Sequence, residues 1–346
     1  MRIAVVGAGI MGASTARTLA ERGHSVTVFE QFSVGHERGS SHGRSRIVRR
    51  AYPDRFYAEI MGQGYPMWRE LHDRSGLPVL QEVGLLYFGA GDDPEMISMI
   101  EGLEVLGMEH EVIRGPEALA ACMAHPGFRF ESGEIGVWTR EAGTVDAGLA
   151  VQATLRLAED AGARVSRERI EDLGALDGYD AVALCAGGWI RRFVDIAVQA
   201  TAQSFVYIAE PHAGPVWIEA SANNLYGFPS ERASNAGGTM KIAAHRPGPP
   251  FDPDAPERPV DRDGIALVED FCARRLGRVP SIVEVGACVY TSAADEDFRI
   301  GRLDDRTVYA SPCSGHGFKF GPWVGQHLAD LIERRCNPIP RFARRA

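Results

Sequence analysis

Ile3-Ala4-Val5-Val6-Gly7-Ala8-Gly9-Ile10-Met11-Gly12 stands at the head of the chain. An apolar run bounded by glycine predicts a strand buried on both faces. Glycines 7, 9 and 12 follow at once, and 13–22 then reads as a helix stopped by Gly23 at its C′ position. A second strand follows over 25–29, with Glu30 at its end. This is a βαβ opening with an acid at the distance expected of a dinucleotide fold. Each glycine has a physical task. Gly7 allows the tight turn, Gly9 lets a pyrophosphate approach the backbone, and Gly12 lets helix and strand pack closely. The helix N-terminus offers N–H groups and a positive dipole to phosphates. Glu30 would accept hydrogen bonds from a ribose diol, and an acid there disfavours a 2′-phosphate.

Working outward, 57–71 reads as a helix, because Met61, Tyr65, Trp68 and Leu71 recur at helical spacing. Pro66 is expected to kink or interrupt it. A strand is read at 83–88. Asp146 suits an N-cap for a helix over 147–161, followed by a strand at 164–166, with Ile170 just beyond. The run 179–189 ends in Ala186-Gly187-Gly188 and would return a further strand to the first sheet. Segments 203–208, 216–218, 224–228 and 239–243 are short and turn-rich, which predicts an antiparallel sheet. Strands at 283–290 and 307–311 follow. The latter leads through Ser314-Gly315-His316-Gly317-Phe318-Lys319-Phe320 into a helix over 324–335. The fold class is α/β, with a Rossmann-like dinucleotide-binding domain and an interleaved antiparallel-sheet substrate domain. The first domain takes 1–82, 141–196 and 292–346; the second takes 83–140 and 197–291.

The chain has 346 residues, which at roughly 150 per domain agrees with two domains. A net charge of −9 argues against nucleic acid or an anionic membrane as partner. The opening apolar run ends too soon for a signal peptide, and no run approaches the ~20 residues of a membrane span. Cys122, Cys185, Cys272, Cys288, Cys313 and Cys336 are scattered without a CxxC pair. They form neither a disulfide framework nor a zinc site, so no metal is expected and a reducing cytoplasm fits best. The proline-rich patch 247–259 reads as a structured loop or domain edge.

Two features stand out as candidate chemistry. The stretch 39–50, GSSHGRSRIVRR, packs arginines and a histidine among small residues in an otherwise acidic chain. Small residues permit close backbone approach to a ligand, although such a charge run also suits a solvated loop. The chain has only two lysines, Lys241 and Lys319. Every other cationic side chain is arginine or histidine, so lysine is retained at just two places.

Taken together, GAGIMG at 7–12, GSSHGRSRIVRRAY at 39–52, YGFPS at 226–230, KIAAH at 241–245, GACVYT at 286–291 and SGHGFKF at 314–320 resemble the monomeric sarcosine oxidase and N-methyltryptophan oxidase family of flavin amine oxidases. The resemblance runs nearly end to end and keeps the motif order. It implies FAD, held by Gly7, Gly9, Gly12, Glu30, Ser41, His42, Arg46, Ile170, Gly315, Gly317 and Lys319, and linked covalently through Cys288. A thiolate is the competent nucleophile for such a link, and basic neighbours favour it. By the same resemblance Lys241 activates oxygen, since a cation beside the flavin stabilises developing negative charge. Arg49 and Lys319 match the residues that hold the substrate carboxylate. His245, Tyr226 and Tyr290 match pocket residues, although core packing also suits the tyrosines. His316 is read as orienting, not as a base.

The implied activity is oxidation of a secondary or N-methyl amino acid. Hydride passes to flavin N5, the imine hydrolyses and O2 becomes H2O2. The implied partners are a small amino acid and O2, and the implied state is a monomer. Alternatives are an oxidase or dehydrogenase of a primary or cyclic amino acid of the glycine, proline or pipecolate type, a non-catalytic flavin-binding protein, or an NAD-dependent dehydrogenase. Two departures bear on the substrate. Trp217 falls near a position where small-substrate relatives have methionine, and is expected to fill the pocket or stack on an aromatic substrate. Ser41 replaces a histidine.

Overall fold

The computed structural model describes residues 1–229 and 238–343. Ser230, the last residue of YGFPS, lies outside the described residues. The first sheet has six strands, in the order Arg299–Arg302, Thr307–Ser311, Ala181–Leu184, Arg2–Val6, Ser25–Glu30 and Arg164–Arg167. All pairs are parallel except the outermost, Arg299–Arg302 with Thr307–Ser311. Alternate residues of the first strand serve two cores. Ile3 and Val5 join the cluster that includes the helices Ile10–Glu21 and Gly321–Ile332, while Ala4 and Val6 pack with Leu176, Ile190 and Val194. That explains why the run is apolar throughout.

A small antiparallel sheet joins Arg46–Arg49, Ala142–Val145 and Leu80–Glu82. The basic stretch is therefore partly strand, and its arginines are held by a ladder. The largest sheet has eight strands, in the order Ile282–Ser292, Gln199–Ile208, Met240–Ala244, Leu225–Phe228, Val216–Glu219, Leu85–Ala90, Glu134–Thr139 and Glu111–Arg114. It corrects the expectation of a wholly antiparallel sheet at one pair, because Leu85–Ala90 and Val216–Glu219 run parallel. These two come from separate segments of chain and meet edge to edge in the same direction.

The strand read at 83–88 is Leu85–Ala90 of the large sheet, and a separate short strand that the sequence reading did not mark, Leu80–Glu82, precedes it in the small sheet. The switch occurs at Gly84, whose φ is +75° and where a Cβ would meet the Trp138 ring at 1.9 Å. Only glycine fits that turn. Pro66 does not interrupt its helix, which runs unbroken over Arg55–Ser75. Asp54 caps the start through Phe56 N at 2.9 Å, the buried stripe Met61, Tyr65, Trp68 and Leu71 anchors the middle, and Gly76 at φ +64° ends it.

The helix Arg262–Leu276 packs against the large sheet. Trp217 lies on that side, stacked on Phe271 with ring centroids 4.8 Å apart. It is fully buried and does not line the cavity that Arg49, Lys241 and Lys319 share. The expectation that it fills the pocket is therefore corrected: strand alternation turns Trp217 into the core and presents Ile218 to the cavity. Arg275, 2 % exposed, ties the same helix to two strands. Its Nε donates to Glu219 at 2.9 Å and its Nη1 to Glu134 at 2.8 Å. Arg274 adds a two-pronged contact to Glu219 at 2.7 and 2.9 Å.

Candidate functional site

The turn Gly7–Gly12 opens the first helix over a long cavity. Gly7 has φ +101°, and a Cβ there would meet Cys185 O at 2.4 Å; a Cβ on Gly12 would meet Gly7 O at 1.8 Å. Both glycines are thus fixed by close backbone approach. The cavity extends from Glu30 and Ile170, past Gly7 and Gly9, to Cys288, Gly315 and Phe318. Glu30 Oε2 accepts from Ala8 N at 2.9 Å and Oε1 from Phe32 N at 3.0 Å. Burial pushes the Glu30 carboxyl up, but His36 and these two amides outweigh it and hold it below the usual value. It stays an anionic acceptor. Ser41 Oγ accepts from Ile10 N at 3.1 Å, binding the small-residue stretch to the start of the helix.

A second cavity, of about 310 Å3, shares Cys288, Tyr290, Gly315 and Phe318 with the first. Arg46, Arg49, Lys241, His245, Tyr226 and Lys319 also line it. The two spaces meet at Gly315, where φ is +73° and a Cβ would strike the Tyr290 and His245 rings at 2.5 and 2.6 Å. Gly317 lies in the first wall, with Pro312 O only 1.6 Å from where its Cβ would be.

The large sheet brings distant residues onto this one surface. Gln203 faces Cys288 across neighbouring strands, and Tyr207 pairs with Lys241. Arg46 Nη2 donates to Cys288 Sγ at 3.0 Å. Lys241, 3 % exposed, donates from Nζ to Ser45 O at 3.1 Å and sits 4.3 Å from the Phe205 ring centroid. The Tyr226 and Tyr290 hydroxyls are 3.3 Å apart, and burial raises both pKa values. His245 Nε2 lies 3.7 Å from Glu296.

In the same cavity Arg49 stacks 4.1 Å from the Tyr52 ring centroid, and its Nη1 is buried without a hydrogen-bond partner. Lys319 Nζ donates to His316 O at 2.7 Å. Burial, and then the charge of Arg49, lower the Lys319 pKa well below the ordinary lysine value. His316 is likewise held neutral by burial and by Lys319. An orphaned guanidinium N–H beside a buried lysine is a built receptor for an anion such as a carboxylate.

Two sequence candidates stand apart from the cavities. Gly12 lies beneath the cradle and acts through packing. His42 lines neither cavity; it is buried, its Nε2 accepts from Arg258 Nη1 at 3.2 Å, and burial followed by Arg46 lowers its pKa to about 3. The sequence reading missed Gln203, Phe205, Tyr52, Tyr87 and Ser45. Strand alternation alone could have paired Gln203 with Phe205, but nothing in the sequence says which face meets the cavity.

The residues of the first cavity fit an FAD. Its wall leaves no room for a Cβ at Gly7 or Gly317, and Thr291 Oγ1 and Ser311 Oγ are buried in it without hydrogen-bond partners. A family model described as DAO, FAD dependent oxidoreductase, matches residues 2–331. The chain belongs to this family. As an FAD dependent oxidoreductase, it is 30% identical to the peroxisomal sarcosine oxidase of Mus musculus, covering 94% of this chain and 90% of that one. It is 29% identical to the monomeric sarcosine oxidase of Streptomyces avermitilis, covering 95% and 92%. Among solved structures, NikD, an unusual amino acid oxidase of nikkomycin biosynthesis, superposes with a TM-score of 0.81 at 22% identity, covering 99% and 97%. That likeness shows that the two share the fold. No described helix of this oxidoreductase is long and apolar enough to cross a membrane.

Proposed function

We propose that this FAD dependent oxidoreductase oxidises a secondary or N-methyl amino acid at its C–N bond, with O2 reduced to H2O2. One observation carries the reading: an anion receptor, Arg49 Nη1 with Lys319, and a separate buried cation, Lys241, line one cavity that opens onto the dinucleotide cavity. Both sarcosine oxidase relatives, by their names, act on an N-methyl amino acid. When bound, FAD supplies the hydride acceptor and passes the electrons to O2.

The chain's own residues do the rest. Arg49 and Lys319 grip the carboxylate and so fix the substrate's α-carbon and amine. Tyr226, Tyr290 and His245 wall the amine side and exclude water. Lys241, held by Ser45 and the Phe205 ring, keeps a positive charge where O2 gathers negative charge. The proposed cofactor set is Gly7, Gly9, Glu30, Ser41, Arg46, Ile170, Gly315 and Gly317, with Gly12 and His42 supporting from behind. The segments 1–82, 141–196 and 292–346 are assigned to the cofactor domain, and 83–140 and 197–291 to the substrate domain. A monomer in the cytoplasm completes the proposal. A panel of N-methyl, primary and cyclic amino acids with H2O2 detection tests it. Turnover of sarcosine-type amines supports the reading, and turnover of only glycine, proline or pipecolate would replace it.

Cys288 is proposed as the covalent anchor, on the strength of its place at the junction of the cavities and its contact with Arg46. Acid precipitation of the native protein is expected to carry the yellow colour into the pellet. With Cys288→Ser the colour should pass to the supernatant. Colour released from the native protein would remove the covalent link and leave FAD bound by the cradle alone.

A pH dependence follows from Lys319. Its pKa is lowered in the free site, and a bound carboxylate favours the ammonium, so binding takes up a proton at Nζ. Affinity for a carboxylate inhibitor is therefore expected to be highest below the free-site pKa. It should fall by up to about tenfold per pH unit as pH rises through that value. Calorimetry in two buffers of different ionisation enthalpy reads the uptake directly. Binding without proton uptake would take Lys319 out of the clamp.

A further inference from the structure

The proline-rich patch is tied to residues on either side of the dinucleotide cavity. It is rooted on the strand Gln199–Ile208, where Ala202 N donates to Pro249 O at 2.9 Å and Phe251 N to Ala200 O at 3.2 Å. Beyond that root, residues 254–258 touch both banks of the cavity. On one bank Trp189 Nε1 donates to Asp254 Oδ1 at 2.8 Å, and Arg192 forms an ion pair with Asp254 Oδ2. On the other bank Arg38 Nη2 donates to Asp254 O at 3.1 Å and to Ala255 O at 2.8 Å. Arg258 returns the contact by donating to Glu37 O, and reaches Ala287 O, next to Cys288, at 2.5 Å. Trp189 and Arg192 line the dinucleotide cavity on the first bank, as His36 and Gly39 do on the second.

Beside the root of this strap lies a third cavity of about 270 Å3, lined by Gly188, Phe251, Asp252 and Pro253. It shares Trp189, Arg192 and Thr291 with the dinucleotide cavity. Residues 254–258 are thus tied to both banks by polar contacts, and the cavity at 251–253 leaves room beside their root. Such an element can lift as a unit once its ties are broken. Prolines 253, 256 and 259 limit its internal freedom and favour movement of the whole segment.

We infer that residues 254–258 form a clasp over the cofactor cavity, and that Asp254 is a positioning residue which sets how fast FAD enters and leaves. The inference rests on the FAD reading of that cavity. Asp254 joins the banks through its own side chain and backbone, holding Trp189 and Arg192 on one side and Arg38 on the other. Its role is kinetic. Breaking its ties opens the cavity without removing a contact to the cofactor, so entry and exit should change together.

The test uses full-length protein carrying Cys288→Ser, so that FAD stays exchangeable. Stopped-flow mixing of the apoprotein with FAD gives the association rate. The return of free-FAD fluorescence on displacement gives the dissociation rate. Asp254→Ala is expected to raise both rates about tenfold, equivalent to roughly 1.4 kcal/mol off the opening barrier. The Kd should move less than about threefold, and the melting temperature of the apoprotein should hold. Asp254→Asn keeps an acceptor for Trp189 but loses the ion pair with Arg192. It should fall between, and it serves if the alanine variant does not fold. Unchanged rates would overturn the inference. So would a rise in dissociation alone with Kd rising in proportion, which would make Asp254 an ordinary cofactor contact. An apoprotein that takes up no FAD would overturn the dinucleotide reading beneath it.

Discussion

Lys241→Met is expected to slow O2-dependent turnover on the order of 10²–10³-fold, while anaerobic bleaching of the visible band by substrate keeps its rate. The reason lies in the placement of the charge. Lys241 is 3 % exposed, hydrogen-bonded to Ser45 O at 3.1 Å and flanked by the Phe205 and Phe228 rings at 4.3 and 4.8 Å. In so dry a place a cation acts strongly on any charge that develops beside it. Electron transfer to O2 develops negative charge, and oxidation of the amine does not place it there. Turnover with an artificial dye as electron acceptor should therefore survive the substitution. Lys241→Arg should restore little, because a broad planar guanidinium does not fit the space of a compact ammonium. Unaltered O2 consumption in the methionine variant would sink the assigned role.

The second large effect concerns stability. Arg275→Ala removes the cation between Glu134 and Glu219 and is expected to cost about 3–5 kcal/mol, because it strands buried carboxylates. Arg274 still holds Glu219, so Glu134 bears most of the loss. In the parent, burial pushes the Glu219 carboxyl up, but Arg274 and Arg275 outweigh it and keep the pKa lowered. That contribution is present above the unfolded carboxylate pKa and is lost as pH falls through the lowered folded value. In the variant the stranded carboxylates gain by protonation. The gap between parent and variant should therefore narrow as pH falls below the ordinary carboxylate value. Urea midpoints at several pH values measure this. Converting all three groups to apolar residues of similar volume should recover most of the loss. A destabilisation under about 1 kcal/mol would show that the triad carries little.

Much of this could be read in the sequence wherever the determinant is local. The βαβ opening was legible because a strand, three glycines and a terminal acid lie within the first 30 residues. The Asp146 cap was legible because its partner, Leu149 N, is three residues away. Gly84 was opaque because the side chain that forbids a Cβ there is Trp138, far along the chain. Trp217 was misjudged for a related reason. An isolated four-residue strand shows alternation, yet which set faces the cavity is decided by Phe271 on a distant helix. The family motifs named Lys241, Arg49 and Cys288. They said nothing of Gln203, which meets Cys288 only through strand register. The ties of Asp254 to Trp189, Arg192 and Arg38 likewise exist only in three dimensions.

The order of strands in the first sheet constrains how the chain can be made. Arg2–Val6 has Ser25–Glu30 beside it within the first 30 residues, yet its other neighbour, Ala181–Leu184, follows about half a chain later. That neighbour in turn waits for Thr307–Ser311. The wall formed by Gly315 and Phe318 comes later still. At roughly 5–20 residues per second, the edge of Arg2–Val6 that faces away from Ser25–Glu30 stays unpaired for many seconds. Until then an apolar edge is exposed and can pair wrongly. The cavity that would take FAD is therefore complete only once Gly315 and Phe318 have been made, so cofactor capture belongs late in the making of the chain.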